Sequence, residues 1–353
     1  MIWGFLFTPA LVVFMSVSLL GVMFVFLSSG LLGMWISLEV MFFGFLPILN
    51  GKSVAENESA VKYFIVQSVG SGVMLVSFLF ISVESSLWTS NIFEWFLVDF
   101  MLMVGFMVKL GVFPFHFWFP SVMSMSSWFS CFWLSVIQKL GPFWGLSGLG
   151  LEGWVVFLFV CFLVLTSVIG AFGGIAQVQF RPLLAYSSLG QTGWMGLMCL
   201  LNVELFVMYM LLYSCLLGGL LSVLHIINTY AVIEVAGWSY SKGLFFWVFS
   251  GGFFISLSGL PPLAGSALKL LGVLTLIVEY PFFLAILIFT SMVSLYYYLS
   301  MFINSLVCLG AGNYTILDSL HISSGFMFPI VGAVVLNWLG GLPLFLVCGS
   351  LSV

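Results

Sequence analysis

Long apolar runs separated by short polar interruptions make up most of this sequence. Each run approaches the roughly 20 residues that an α-helix needs to cross the hydrocarbon core of a bilayer. Because backbone N–H and C=O groups in lipid must be satisfied within the spanning segment, runs of this length predict helices. We therefore expect an all-α, polytopic membrane protein, with residues 1–353 as a single transmembrane domain. About eleven spans are predicted, near residues 3–22, 24–47, 60–83, 93–113, 127–148, 153–174, 183–200, 203–226, 244–279, 281–302 and 326–350.

Prolines interrupt two of the predicted helices. The ninth contains Gly259-Leu260-Pro261-Pro262, and the fourth runs into Pro114 and Pro120. Proline lacks the backbone donor of a helix, and a broken helix within a membrane is tolerated only where it packs in protein or lines a polar cavity. In transporters such breaks mark the transport path, and their five-helix separation predicts two inverted repeats of about five helices each. The repeats are expected at residues 1–150 and 151–302, followed by a C-terminal helix at 326–350.

The composition excludes several classes of protein. The chain is 63% hydrophobic and only 5% charged, so it cannot cover its surface with polar groups. Its cysteines show no CxxC or other metal-ligand spacing, and its histidines are too few for the paired ligands of a multi-haem cytochrome. We expect no metal, haem or other cofactor in this chain. The residues concerned are Cys131, Cys161, Cys199, Cys215, Cys308 and Cys348, with His116, His225 and His321.

Basic residues in the predicted loops indicate an orientation. Lys52, Arg181 and Lys242 follow the second, sixth and eighth predicted helices, so they fall on one face of the membrane. By the positive-inside rule this face is the matrix or the cytoplasm, which places the N-terminus inside and the C-terminus outside. Other charges in or beside the first of these loops are expected to be solvated: Glu56, Glu58 and Lys62.

Four charged residues lie inside apolar segments, namely Glu39, Lys109, Lys139 and Lys269. Each costs roughly 2.5 to 3.5 kcal/mol at the centre of a spanning helix, which a structural role seldom requires. Snorkelling or a static ion pair is the structural alternative. Glycine or proline stands close to each lysine, which leaves room for water. A buried lysine can bind or release a proton near neutral pH according to the position of a carboxylate partner, so these residues predict a proton path.

The same four residues predict an ion pair and the order of the residues along the proton path. Glu39 is the only carboxylate well inside a predicted helix of the first half, so we expect it to contact Lys109. Moving one charge against about 150 mV costs roughly 3.5 kcal/mol, which making or breaking such a pair in a low dielectric can supply. Lys139 lies between this pair and Lys269, and we take it as the central carrier. His116 is a candidate relay, with a backbone-bonded histidine at a helix end as the alternative.

Short motifs spread over about residues 30–280 resemble a known family. In order they are Leu38-Glu39 with Phe45-Leu46-Pro47; Glu58-Ser59-Ala60-Val61-Lys62-Tyr63-Phe64 with Gln67; Lys109-Leu110-Gly111 with Pro114-Phe115-His116-Phe117-Trp118; Gln138-Lys139-Leu140 with Pro142; Leu183-Leu184-Ala185-Tyr186-Ser187-Ser188 with Gly193-Trp194-Met195; and Ser258-Gly259-Leu260-Pro261-Pro262-Leu263 with Gly265 and Lys269. They resemble subunit 2 of mitochondrial respiratory complex I, the NADH:ubiquinone oxidoreductase. Three features depart from the family: Ser121 replaces a usual glutamate, Pro182 a basic residue, and no proline precedes Lys269 after Gly265.

The resemblance implies an antiporter-like proton-translocating subunit in the membrane arm of a complex in the mitochondrial inner membrane. It implies that the residues matching Glu39, Lys109, Lys139 and Lys269 form the proton path. The chain would belong to an enzyme without a redox site of its own, since NADH, FMN, iron–sulfur clusters and ubiquinone bind in other subunits. Subunits 4, 4L and 5 are the implied neighbours, with the lipid bilayer around them and no nucleic-acid partner.

Three alternatives remain open from the residues. A stand-alone cation/proton antiporter would share the broken helices and buried lysines, and copurification with many partners would distinguish it from a complex subunit. A homologue of subunit 4 or 5 would usually be longer and richer in intramembrane histidine. A structural scaffold gives no explanation for four buried charges.

Overall fold

The computed structural model describes residues 9–87, 92–149, 153–231, 234, 240–260, 263–311, 332, 334–335 and 337. The predicted helix at 326–350 lies outside the described residues, apart from four isolated positions. The chain divides into two compact units, Met1–Thr166 and Ser167–Val353.

The described residues form helices and no strand, with one isolated β-bridge between Gln179 and Ala231. Six of the helices within the described ranges are long and apolar enough to cross a membrane. The number of spans and the internal repeats stay predictions. In chain order the helices are α1 (Pro9–Leu27), α2 (Leu31–Leu49), α3 (Val54–Leu87), α4 (Ile92–Leu110), α5 (Trp118–Met125), α6 (Trp128–Ser135), α7 (Ile137–Gly148), α8 (Gly153–Ile175), α9 (Phe180–Leu201), α10 (Val203–Ile227), α11 (Tyr240–Ser258), α12 (Ala264–Glu279) and α13 (Pro281–Ala311).

The first two helices form a closely packed hairpin that holds Glu39 in the first unit. Their predicted boundary at residue 23 is wrong, because α1 continues to Leu27 and the turn falls at Ser28-Ser29-Gly30. Serine and glycine are frequent between helices, and Gly30 has the extended backbone typical of a residue that precedes a helix. The hydrophobic pattern did not mark this turn, since apolar residues continue on both sides of it.

The start of α3 corrects a second boundary. The helix begins at Val54 rather than near residue 60, because Ser53 and Glu56 form a capping box. The Glu56 N–H donates to Ser53 Oγ at 3.2 Å, and the Ser53 N–H donates to the Glu56 carboxylate at 3.2 Å. Glu58 and Lys62 are therefore helical rather than in a loop, and they form an exposed pair one turn apart, 2.7 Å between Nζ and Oε1.

The predicted helix at 127–148 is in fact two helices, α6 and α7, separated at Val136. Ser135 Oγ donates to the carbonyl of Cys131 at 2.7 Å, an i−4 bond that weakens and bends helices. The first turn of α7 is tightened, since the Lys139 N–H donates to the Val136 carbonyl three residues earlier at 3.3 Å. Lys139 consequently lies just after a helix break that the sequence pattern did not predict.

The break in the long ninth segment is confirmed. Helix α11 ends at Ser258 and α12 begins at Ala264, so the predicted 244–279 run contains two helices. Pro261 and Pro262 themselves lie outside the described residues. The α4 segment ends at Leu110, and the short helix α5, absent from the predicted spans, follows Pro114. Within the second unit, α12 packs against α9, α10, α11 and α13, while Leu274, Ile277 and Val278 toward its end are exposed.

Candidate functional site

The C-terminus of α4 is fixed immediately after Lys109. Gly111 adopts φ +71°, the left-handed conformation that glycine adopts without a steric penalty. The N–H of Val112 donates to the carbonyl of Met107 at 2.9 Å, which is the bond of a Schellman cap. The sequence Lys109-Leu110-Gly111 thus ends a helix with a lysine in its last turn, where the dipole favours a cation.

Side chains from other segments satisfy carbonyl groups that this helix end leaves free. The indole N–H of Trp118 donates to the Val108 carbonyl at 3.1 Å, and the Gln67 amide donates to the Lys109 carbonyl at 3.2 Å. The donor Gln67 comes from α3 and Trp118 from the start of α5. These two hydrogen bonds hold the backbone around Lys109 from two sides. They therefore fix the position from which its side chain extends.

Glu39 and Lys109 form the predicted ion pair. The Lys109 ammonium donates to Glu39 Oε1 at 3.2 Å, and the two side chains are 3% and 14% exposed. The contact joins α2 to the end of α4, as the sequence predicted. Its two charges are largely removed from solvent, in contrast to the exposed Glu58–Lys62 pair, whose side chains are 52% and 39% exposed.

Lys109 and Lys139 line one enclosed cavity in the first unit. The cavity has a volume of about 10 Å³, which is room for the centre of about one water molecule. Its other polar lining residues are Tyr63, Gln67 and Gln138. Both predicted lysines of this unit therefore reach the same small polar space, and a single water there has several donors and acceptors within its walls.

A neutral hydrogen-bonded network connects the elements around this cavity. The Tyr63 hydroxyl donates to Gln138 Oε1 at 2.9 Å, and the Gln138 amide donates to the Met41 carbonyl at 3.3 Å. This links α3 through α7 to α2, the helix that carries Glu39. The role of Tyr63 was not predicted, although Tyr63 and Gln67, one turn apart on one face of an apolar helix, were a usable signal.

The Lys139 side chain is 2% exposed and lies over an aromatic ring. Its Nζ is 4.6 Å from the centroid of the Phe119 ring, a cation–π distance. Phe119 belongs to α5, the short helix that the hydrophobic pattern did not predict. The ring stabilises the ammonium without being able to exchange a proton with it.

His116 is buried beside this site but does not line the cavity shared by Lys109 and Lys139. Its ring lies against Phe117 with 4.0 Å between centroids, and its Nδ1 has no hydrogen-bond partner among the described residues. The proposed relay role of His116 stays a prediction.

In the second unit Lys269 binds the end of a broken helix. Its ammonium donates to the carbonyl of Ser258, the last residue of α11. Gly259 follows with φ +86°, and a Cβ at this position would lie 2.5 Å from Cδ of Lys269. The broken helix therefore supplies both the acceptor and the space for the side chain, at the helix end where the dipole favours a cation. A carboxylate is not needed for this lysine to be held.

The Lys269 side chain lines a second small cavity, of about 20 Å³. Ser187 and Gln191 of α9 and Ser294 and Tyr297 of α13 line it as well. The Tyr209 hydroxyl donates to Gln191 Oε1, which ties this wall to α10. None of these hydroxyl and amide groups was singled out from the sequence as a functional residue.

The described part of the chain contains no group of histidine, cysteine, aspartate and glutamate residues that could hold a metal ion. What the site does contain is ammonium, carboxylate, phenol and amide groups around small enclosed cavities. Such groups can hold and exchange protons.

Comparison with known proteins identifies the family. The family model described as NADH:quinone oxidoreductase/Mrp antiporter, transmembrane, matches residues 28–295. NADH-ubiquinone oxidoreductase chain 2 of Locusta migratoria is 32% identical over 300 residues, covering 84% of this chain and 85% of the relative. The chain belongs to the NADH-ubiquinone oxidoreductase chain 2 family. The member from Lumbricus terrestris is 31% identical over 302 residues, covering 85% of this chain and 88% of its own length.

Solved structures show the same fold as this chain 2 family member. A chain of respiratory complex I from Thermus thermophilus with bound aureothin superposes with a TM-score of 0.80 at 24% identity, covering 96% of this chain and 79% of that chain. A chain of the Mrp complex from Dietzia superposes with a TM-score of 0.75 at 16% identity, covering 94% and 74%. At these identities the likeness concerns the fold.

Proposed function

We propose that this chain translocates protons in the membrane arm of NADH:ubiquinone oxidoreductase in the mitochondrial inner membrane. NADH oxidation and ubiquinone reduction in other subunits would drive this movement. Membership of the chain 2 family supports the assignment to this complex. The single observation that carries the proton-translocating role is the largely buried Glu39–Lys109 pair, whose lysine lines one small cavity together with Lys139.

The arrangement in the first unit suits a reversible proton step. While Glu39 contacts Lys109, the carboxylate holds the proton on the ammonium by direct electrostatic attraction. When the two side chains separate, that attraction is lost and the proton can leave through the cavity toward Lys139. Tyr63 and Gln138 present a hydroxyl and an amide to a water in this space without adding a charge. Two ammonium groups facing one cavity also repel each other, which favours one proton at a time.

Lys139 and Lys269 are proposed carriers in their respective units. The Lys139 ammonium makes a cation–π contact with the Phe119 ring, and the Lys269 ammonium donates to the Ser258 carbonyl at a helix break. Both contacts stabilise the protonated form of the lysine. A small change in helix-end geometry therefore changes the affinity of the lysine for its proton, which couples a conformational step to proton movement.

The finer assignments rest on the family. NADH, FMN, iron–sulfur clusters and ubiquinone would bind in other subunits, so this chain would have no redox site of its own. Subunits 4, 4L and 5 are the proposed neighbours. The matrix face is proposed for Lys52, Arg181 and Lys242, which places the N-terminus in the matrix.

A stand-alone cation/proton antiporter is the second candidate, and the fold shared with a chain of the Mrp complex is its support. The two candidates predict different behaviour on purification. A complex subunit copurifies with many partners and depends on them, whereas a solitary antiporter is stable and active alone.

Glu39→Gln tests the proposed function. It removes the negative charge while keeping the shape of the side chain, so Lys109 loses its buried partner. Breaking one side of a buried pair costs about 3 kcal/mol, more than a hundred-fold in an equilibrium constant, whereas an exposed pair contributes about 0 to 1 kcal/mol. We expect NADH-driven proton uptake by assembled complex to fall at least ten-fold, since about half of that energy in the proton step suffices.

The matched control is Glu58→Gln, which breaks the exposed pair with Lys62. Assembled complex, NADH oxidation and proton uptake are measured on the same inner-membrane vesicles. The proposal predicts loss of activity per assembled complex for Glu39→Gln alone. Normal proton uptake by assembled Glu39→Gln complex, or equal losses in the two variants, would contradict it.

A further inference from the structure

A groove opens at one end of α13 in the second unit. It has a volume of about 420 Å³, on the order of ten water molecules, and is lined by the loop after α8 and the last turns of α13. Gln177, Ser300 and Asn304 give it polar groups, beside apolar residues of the same segments. Val178 in the loop is 54% exposed, so the groove is open on the side of the α8–α9 connection, where Arg181 follows.

Helix α13 carries a polar stripe that runs from this groove into the unit. Its members recur at spacings of 4, 3, 3 and 4 residues, which is the period of one face of a helix. The face turned outward is apolar or aromatic and strongly exposed, as expected toward lipid. The stripe consists of Thr290, Ser294, Tyr297, Ser300 and Asn304. The outward face includes Phe289, Met292, Tyr296 and Ile303, which are 53–63% exposed.

Tyr297 belongs to both spaces. It lines the enclosed cavity that contains the Lys269 side chain, together with Thr290 and Ser294, and it also lines the open groove. Tyr297 itself is 3% exposed. Its ring packs on Gly174 of α8 so closely that a Cβ there would lie 2.8 Å from the ring. One fixed phenol therefore separates the groove from the lysine cavity.

We propose that the groove is a water-filled entry for protons to Lys269, from the membrane face on which Arg181 lies, and that Tyr297 passes the proton between the two spaces. This inference rests on the proposed function, because it takes Lys269 to be a proton carrier. It adds the side of entry and the residue at the constriction.

The proposed step balances without an additional reactant. A hydronium ion in the groove gives a proton to the Tyr297 oxygen as the original phenol proton passes to a water on the cavity side. One O–H bond forms and one breaks, and the phenol is neutral before and after. The proton then binds the neutral amine of Lys269, and the Ser258 carbonyl accepts a hydrogen bond from the new ammonium. Rotation of the Tyr297 hydroxyl restores the starting state.

Tyr297→Phe removes only the hydroxyl and keeps the ring on Gly174. The control is Tyr296→Phe, the adjacent residue, whose side chain is 63% exposed on the outward face. In assembled complex we expect proton uptake to fall by on the order of ten-fold or more in Tyr297→Phe, because a positioned proton-transfer group is lost. Tyr296→Phe should pump normally. Normal uptake by Tyr297→Phe overturns its role.

Side-specific labelling tests the groove independently of that variant. Asn304→Cys and the outward-facing Ile303→Cys are treated with a charged, membrane-impermeant methanethiosulfonate reagent, added to either side of oriented vesicles, with unsubstituted complex as background. We expect Cys at 304 to react from the Arg181 side only, and the reaction to block proton uptake. Equal reaction at 303 and 304, reaction from the opposite side, no reaction at 304, or full pumping after labelling overturns the entry route.

Lys269→Met separates failure of this inference from failure of the function on which it rests. If Lys269→Met abolishes proton uptake while Tyr297→Phe and labelled Asn304→Cys pump normally, the entry route is wrong and the carrier role of Lys269 stands. If assembled Lys269→Met complex pumps normally, the carrier role itself is wrong, and the inference falls with it.

Discussion

Two lysines on different helices reach one cavity, and the groups between them are neutral. Lys109 has a carboxylate partner, while Lys139 lies over an aromatic ring. Tyr63 and Gln138 line the same cavity and are joined by a 2.9 Å hydrogen bond. A neutral hydroxyl can accept one proton as it gives up another, so these residues connect the carriers without trapping a charge.

Tyr63→Phe should slow the proton step while leaving the fold intact. The ring and its contact with Trp118 remain, and only the hydroxyl that donates to Gln138 is lost. A net hydrogen bond is worth about 1 kcal/mol, so we expect a roughly five-fold fall in NADH-driven proton uptake per assembled complex. The measurement is proton uptake normalised to assembled complex.

Tyr230→Phe is the matched control for Tyr63→Phe. Tyr230 is 42% exposed, and its ring lies over the Arg181 guanidinium, a contact that phenylalanine retains. This variant should pump at the normal rate. Equal rates in the Tyr63 and Tyr230 variants would remove Tyr63 from the path.

At the scale of residues, the sequence predicted the charges and missed their neutral partners. Glu39, Lys109, Lys139 and Lys269 stood out because an ionised group in an apolar segment carries a large insertion cost. A tyrosine or glutamine costs less, and its role depends on which helix it faces. Phe119 carried no sequence signal, since it is one of 40 phenylalanines in the chain.

The three lysines of the site lie at or contact helix ends. Lys109 is in the last turn of α4, Lys139 in the first turn of α7, and Lys269 contacts the end of α11. Broken helices expose carbonyl groups within the protein, and these bind ammonium groups or the amides that surround them. The helix breaks thus supply the carbonyl groups that bind these side chains.

Gly259→Ala should damage the Lys269 site specifically. A left-handed conformation costs a non-glycine residue roughly 1–2 kcal/mol, and the new methyl group would also displace the Lys269 side chain, which lies 2.5 Å from the ideal Cβ position. We expect reduced proton uptake per assembled complex, beyond any loss of assembly. Quantifying both in the same membranes checks this.

Gly72→Ala is the matched control, because it lies in the interior of α3 and a Cβ there meets nothing within 4 Å. Alanine is favoured over glycine in a helix by about 1 kcal/mol, so this variant should assemble and pump as well as the unsubstituted chain. A Gly259→Ala variant that behaves like Gly72→Ala would show that the break tolerates a side chain.

A helix break could be predicted from the sequence only where a particular residue marked it. Consecutive prolines predicted the break after Ser258, because proline removes a backbone donor. The break at Val136 has no such marker, and a Ser135 side-chain bond that weakens the helix lies next to it. The turn at Ser28-Ser29-Gly30 was missed because hydrophobicity is a poor guide to a short turn between two apolar helices.

The whole molecule is a polytopic membrane protein of two compact units, and in each of them lysine lines a small cavity. Hydrophobicity predicted its class, and motif order predicted the family that the comparisons identify. Neither sequence pattern shows which polar side chains converge on a cavity, because that depends on packing between helices far apart in the chain.

Replacing Lys139 with methionine shows whether this buried lysine carries protons that the complex pumps. Methionine fits the same space without a titratable group, so assembly should survive. A blocked proton step stalls the redox reaction coupled to it, so NADH oxidation and proton uptake should fall together. Lys139→Arg should not restore them fully, since a guanidinium does not release its proton near neutral pH.

The decisive measurement is proton uptake per assembled complex in Lys139→Met membranes, with NADH oxidation followed in the same sample. If Lys139 carries protons, the Lys139→Met complex assembles but loses both proton uptake and NADH oxidation. Lys139→Arg then restores them only in part. A static, structural lysine would give poor assembly, normal turnover in the remaining complex, and full tolerance of arginine. Normal proton uptake by assembled Lys139→Met complex would contradict the account.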